Sequence, residues 1–413
     1  MLKNKRIYIG ILATFLHTGL FAKSYIISPL PLPKQEVVDI DIKKCDEKCL
    51  EKLYADGKLF SFVAKFKNDT QNIELRANLA VALSEIDSFM QSSVYQDQKN
   101  SKIKIALLIP KKIVGRYSVA SIDTILAYLM TRGGDFDFKV FDSGSEDSLN
   151  LSETYDKIKQ EKYQFVVAVL TQAGVENFIQ DTYVSLPTYI PTINKNQLDK
   201  NLKLPPNLYF GGIDYYAQMQ VITTLAASAS IVEYDDDSPV GLILGDILDS
   251  LDPNIVYKDI VSSQQAATFA KNLKTQEDFL EKSVVVLNTP VVKSGLMLSQ
   301  LGFSNKKPSK ILSVQINYNP SILMLVQPKD RQNFYIVNAI GSTDQKLIEY
   351  GALLSSDLRY DWVNYSTAIG VEMFFDFQDT KINKFFSELI NDNQVQYVNT
   401  LYRAKGSVFE PVK

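Results

Sequence analysis

The chain has 413 residues, 46% of them hydrophobic, which is enough to bury a large core and more than one domain ordinarily holds. A charged fraction of 22% and a formal net charge of −3 give no basic footprint, so nucleic acid is not expected as a partner. Only one histidine is present, His17, and it falls in the first stretch of the chain.

Residues 1–22 have the layout of a secretory signal peptide. Lys3, Lys5 and Arg6 precede an uncharged, mostly apolar run from Ile7 to Phe21, and Ala22 supplies a small residue for cleavage. Thr14, His17 and Thr18 interrupt that run, which falls short of the roughly 20 apolar residues of a membrane span. Retention as an amino-terminal anchor is the alternative. No cysteine follows the cleavage point, so lipid attachment of the usual kind is not expected. Cleavage takes the net charge from −3 to −6 and removes His17. The mature chain then has no Ser-His-Asp or Cys-His nucleophile and no His-ligated metal, while carboxylate chemistry of the glycosidase type remains open. The expected location is the periplasm, with no stable membrane span after cleavage, no cofactor and no metal.

Residues 23–44 carry Pro29, Pro31 and Pro33 and read as an extended arm or linker. Residues 45–100 read as a helical hairpin: Leu50, Leu53 and Tyr54 share a face, and "NIELRANLAVALSEIDSFMQ" repeats apolar residues at spacings of three and four. Outside a reducing compartment Cys45 and Cys49 are expected to form a disulfide. Their i, i+4 spacing puts them on one helix face, where the bridge is expected to distort the first turn. Two thiols alone do not make a zinc site, and the spacing is not Cys-x-x-Cys.

From Lys102 strands alternate with helices. Strands are expected at 104–110, 136–144, 164–170, 188–194 and 207–213, with helices at 117–132, 149–161 and 174–181. A long helix follows in "YYAQMQVITTLAASASIV", then Asp235, Asp236 and Asp237 as an exposed connection. A second strand series is expected from "PVGLILGD", "SVVVLNT", "KILSVQI" and "NFYIVNA", and the ending around Lys405 and Gly406 reads as a hairpin. Near-continuous apolar strands between helices indicate parallel sheets covered on both faces. The expected organisation is a first α/β lobe over 101–235 and a second over 236–413 with return segments to the first.

The order of these elements resembles the type I periplasmic-binding-protein fold, and within it the carboxyl-terminal domain of the penicillin-binding-protein activator lipoproteins. The carriers are "IKIALLIP", "LPTYIPTINKNQLDKNLKLPPNLYFGGIDYYAQM" and "NYSTAIGVEMFF", over roughly residues 102–413. In that family a strand ending in Asn, a loop of "p-nly-f" character and a helix after an acidic residue occur in this order; here these are Asn194, Pro206 to Phe210, and Asp214. The resemblance implies a two-lobed α/β domain with a cleft at the strand ends, behind a short helical region. Binding proteins of this fold hold a ligand carboxylate on the backbone of turns after the first and third strands.

In this chain those turns are "PKKIVGRYS" and "LTQAGVEN". Lys111 and Lys112 are placed to attract an anion or to be a solvated edge; Thr171, Gln172 and Gly174 are placed to form a small nest, with Tyr117 and Ser118 opposite. Across the cleft, Gly245 with Asp246, Asn288 with Thr289, and Asn317 with Tyr318 are expected at strand ends. Asp246, Asp249 and Asp252 share a helical spacing but lack the Gly and terminal Glu of a calcium loop. Aromatics around Tyr209 and Arg359 offer either packing or a protein interface.

Three functions follow. The first is a non-catalytic periplasmic scaffold for partner proteins of an envelope machine, either a peptidoglycan synthesis complex or the periplasmic part of a flagellar motor. The second is a solute receptor for an amino-acid-like or other small anionic ligand, and the third a carboxylate enzyme acting on cell-wall glycan. The activators are lipid-anchored and carry a long helical-repeat domain, features not found in this sequence, and the turn from Pro110 to Ser118 is expected to have lost its ligand chemistry.

Overall fold

The computed structural model describes residues 44–67, 70, 72–91, 102–251, 253–378 and 382–412. The expected signal peptide, the arm before Lys44, and Asp252 lie outside these residues. The chain divides into two units, residues 1–79 and 80–413.

In the first unit, helix Glu47–Ala55 begins at Asp46, whose extended backbone and side chain cap it: the carboxylate accepts the Cys49 N–H at 2.9 Å. Cys45 and Cys49 are bridged, with Cα atoms 5.3 Å apart. The expected distortion of the first turn is not found. Cys45 stands outside the helix, before the cap, so the bridge closes across the entrance while Leu50 N–H donates normally to the Asp46 carbonyl at 2.9 Å. A second helix, Leu59–Lys65, buries Phe62 between the rings of Tyr54 and Phe66.

In the second unit the strands among the described residues are β1 (Ile103–Ile109), β2 (Phe136–Asp142), β3 (Phe165–Ala168), β4 (Thr188–Ile190), β5 (Leu208–Phe210), β6 (Ile231–Asp236), β7 (Ile255–Val261), β8 (Val284–Asn288), β9 (Lys310–Ser313), β10 (Phe334–Asn338), β11 (Leu389–Asn391), β12 (Gln394–Gln396), β13 (Thr400–Lys405) and β14 (Val408–Pro411). They form two seven-stranded sheets, β11-β12-β5-β4-β3-β1-β2 and β14-β13-β10-β9-β8-β6-β7. Strands β1 to β5 run parallel, as do β6 to β10; the antiparallel pairs are β11–β12, β10–β13 and the terminal hairpin β13–β14. This is a two-lobed α/β architecture in which each sheet is covered on both faces. In the first lobe one face carries Ile105, Leu107, Tyr128, Tyr189 and Phe374, and the other Ala106, Leu108, Tyr155, Val166 and Phe178. The alternation along β1 is what feeds both cores.

The chain passes between the sheets three times, after β5, after β10 and after β12. The return helix Trp362–Gln378 is buried from Val363 to Phe374 and stacks Phe374 on Phe165 of β3 at 4.7 Å. Its Glu372 accepts from the Arg132 guanidinium at 2.8 Å and from the Phe385 N–H at 2.6 Å, and Arg132 lies 3.8 Å from the Phe385 ring centroid. Both charges are buried, so the pair fixes the return segment to helix Arg116–Arg132.

Four expectations about the middle of the chain need correction. The helix expected over 215–232 ends at Ala226. It packs through Met219, Ile222 and Ala226 against Leu244 and Val286, so it belongs to the second lobe and the boundary lies upstream of 235. Asp235 and Asp236 are not an exposed connection but buried in β6, where Lys258 and Lys293 neutralise them. "PVGLILGD" is a helix, Pro239–Ser250: Ser238 caps it and Pro239 takes its first position, where a missing N–H costs nothing. Strand β7 takes the outer place in the second sheet.

Candidate functional site

In open parallel sheets, ligands bind at the carboxyl ends of the strands, so the turns there define the candidate site. After β1 the chain makes a short helix, Lys111–Val114, and turns at Gly115 with φ 55° into helix Arg116–Arg132. Lys111 and Lys112 are both exposed. Ser118 is buried in the helix, and Tyr117 packs against the first-lobe core.

The turn after β3 is occupied by the chain's own groups. Thr171 caps helix Gln172–Asp181, its hydroxyl accepting the Gly174 N–H at 3.1 Å. The buried carboxylate of Glu146, from the turn after β2, accepts the Thr171 N–H at 2.7 Å and the Thr171 hydroxyl at 2.5 Å. Gln172 points outward to Glu176, 3.2 Å away.

The remaining polar candidates are used within the fold. Asn194 is buried: its amide donates to the Gly212 carbonyl at 2.9 Å and its oxygen accepts the Asn196 N–H at 2.9 Å. Asp214 caps helix Tyr215–Ala226 through the Ala217 N–H at 3.0 Å and accepts the Asn196 amide at 3.1 Å. Asp246 is not at a strand end; it is exposed on helix Pro239–Ser250, and Asp249 on the same helix pairs with Lys258 at 2.7 Å. Asn288 is fully buried and donates to Glu233 at 3.2 Å and Asp235 at 2.8 Å. Burial and the neighbouring Asp235 push Glu233 up to about 8, with Lys258 pulling the other way. Burial opposes the charge of Lys258, but Asp249, Glu233 and Asp235 outweigh it and hold the ammonium above its ordinary range. This pair of carboxylates is sealed beneath a helix, where a Cβ on Gly245 would collide with Asp235. Among the described residues no group of three or more His, Cys, Asp or Glu is placed to hold a metal ion.

One aromatic side chain packs against both lobes. Tyr318, after β9, has its ring centroid 5.4 Å from Tyr360, 5.1 Å from Tyr402 and 4.8 Å from Phe409, and it packs against the cores of both lobes. Burial pushes the Tyr215 hydroxyl up, with Tyr117 and Trp362 of the first lobe within electrostatic reach. Burial likewise raises Asp361 beside them, against the Asn364 and Val363 N–H groups and Arg116. The crossovers are tied as well: the Tyr397 hydroxyl donates to the Gly211 carbonyl at 2.5 Å, and Ser366 donates to Pro191 and Gly211 at 2.9 and 2.8 Å.

Solved structures show the same architecture. One titled a putative branched-chain amino acid transporter of Rhodospirillum rubrum superposes with a TM-score of 0.57, covering 76% of this chain and 100% of that one at 11% identity. The fold is that of the type I periplasmic binding proteins. Within this binding-protein fold, LivJ of Streptococcus pneumoniae, solved with isoleucine, gives a TM-score of 0.53 at 14% identity, over 76% of this chain and 99% of that one. The LpoA C-domain of Haemophilus influenzae, titled a regulator of PBP1A, gives 0.51 at 10% identity over 75% and 100%. Full-length LpoA gives 0.52 at 10% identity over 89% of this chain and 73% of that one. No family model and no curated protein matches the sequence.

Nothing in the local sequence marks Glu146, Glu233, Lys258 or Tyr402, whose partners come from elsewhere in the chain, while Tyr360 falls in the aromatic stretch around Arg359.

Proposed function

We propose that this chain is a non-catalytic periplasmic scaffold that uses a binding-protein fold to hold partner proteins of an envelope machine. The observation that supports the reading is Tyr318, which packs against the cores of both lobes and contacts the rings of Tyr360, Tyr402 and Phe409. Of the expected polar cleft residues, Thr171, Asn194, Asp214 and Asn288 are engaged in caps and buried networks, which agrees with it. No described helix is long and apolar enough to cross a membrane. The likeness to LpoA, titled a regulator of PBP1A, supports a peptidoglycan synthesis complex as client, with a flagellar motor scaffold as the other expectation. The test is affinity capture of the mature protein from its host periplasm after mild crosslinking, with partners identified by mass spectrometry. Specific recovery of one envelope machine supports the proposal.

A solute receptor is the second reading, favoured by the likeness to LivJ bound to isoleucine. Two-lobed receptors close on their ligand, so X-ray scattering of the free protein against a panel of amino acids discriminates. A fall in radius of gyration with one of them overturns the scaffold reading.

A further inference from the structure

Strand β7 closes one end of the second sheet and, among the described residues, pairs with β6 alone, so its outer edge offers N–H and C=O groups to a further strand. We propose that this edge docks a partner protein through an extended segment in which Lys or Arg alternates with apolar residues. The inference rests on the scaffold reading and names the chemistry of one partner contact.

Shape and charge both carry it. Val256, Lys258 and Ile260 alternate along β7 and therefore share a face. The Lys258 ammonium lies 2.7 Å from Asp249 of helix Pro239–Ser250, so that face is turned toward the helix, and Leu242 and Asp246 stand on the same side of the helix as Asp249. Val256, Ile260 and Leu242 are exposed, which leaves an apolar strip beside the open edge. Charge then selects the occupant. Residues 233–261 contain eight Asp and Glu and a single basic residue, Lys258, in a chain whose net charge is only −3. Lys258 alone serves Asp249, Asp235 and Glu233, at 2.7, 3.2 and 3.3 Å, and Lys293 reaches across to Asp236 and Asp237. Among the described residues no cation pairs with Asp246 or Asp259. The surplus of carboxylates repels a second copy of the same edge and attracts a basic strand, whose apolar residues cover Val256 and Ile260 while its backbone continues the sheet.

The experiment uses the full chain and a blocked peptide of alternating Lys and Val, followed by fluorescence anisotropy and by hydrogen exchange of the protein. The peptide is expected to bind and to slow amide exchange within Ile255–Val261. D246K and V256S/I260S should each weaken binding about tenfold, whereas V292S, at an exposed position on helix Val291–Leu301, should not. D246K decides alone should V256S/I260S lose its fold. Equal binding of an alternating Glu and Val peptide overturns the proposal. So does equal binding of a peptide with the same Lys and Val in two blocks and no protection of β7, which is diffuse charge attraction. Sedimentation of wild type as a dimer that V256S/I260S dissolves puts a second copy on the edge and overturns it as well. The scaffold reading fails or stands separately, on capture of partners from the host periplasm by wild type.

Discussion

Glu233 and Asp235 sit on one face of β6 with a single ammonium, Lys258, at 3.3 and 3.2 Å. The sign of the linkage follows from the raised value of about 8 for Glu233 against an unfolded value of 4.5. Its contribution to stability is fully present below pH 4.5 and is lost as the pH rises through about 8, because the unfolded chain releases the proton first. Urea denaturation between pH 5 and 8.5 should show wild-type stability falling, and E233Q should flatten that slope and exceed wild type at pH 8.5. At Arg132 the expectation is simpler: R132M leaves Glu372 buried without its cation and should cost about 3–5 kcal/mol in the same assay. Neither site was legible in the sequence. Acidic residues before Ser238 and Pro239 look like a solvated connection, and only the sheet register that sets Lys258 beside Glu233 makes them a strand.

Short elements are legible where their local chemistry is unopposed. The parallel strands β1 and β3 to β5 of the first lobe are mostly apolar and β2 alternates apolar with charged residues, so the strands and the longer helices between them are legible from pattern. Helix Pro239–Ser250 was misread because "PVGLILGD" is apolar on nearly every residue, although its Ser-Pro start is a helix signal. The disulfide was legible, but its relation to the helix was not, since Asp46 moves the cap one residue past Cys45. Closing so small a loop restrains the unfolded chain by on the order of 2 kcal/mol in the entropic account. Because Cys45 and Cys49 belong to the amino-terminal unit, C45S/C49S should leave the main thermal transition of the α/β unit unchanged. Limited proteolysis is expected to cut faster near residues 44–58 in that variant.

At the scale of the molecule the two-lobed plan was legible, because alternating strands and helices admit few arrangements. The aromatic cluster was not: Tyr318, Tyr360 and the terminal hairpin that carries Tyr402 and Phe409 come from separate segments of the chain. Y318A removes the ring that touches both cores and should cost about 2 kcal/mol. Solution scattering of Y318A should also give a larger radius of gyration than wild type; an unchanged value would place the restraint on lobe motion in the tied crossovers instead.

The triple crossing of the chain also bears on when the protein folds. Strand β12 joins β5 through the pairing of Gln394 with Phe210, and the buried helix Trp362–Gln378 covers a face of the sheet that β1 began. The amino-terminal half of the α/β unit therefore lacks a wall of its core until almost the whole polypeptide has been synthesised. A chain ending near residue 340 should remain open and protease-sensitive throughout the first lobe. Late closure of this kind makes the carboxyl-terminal segments the last step of folding for both lobes.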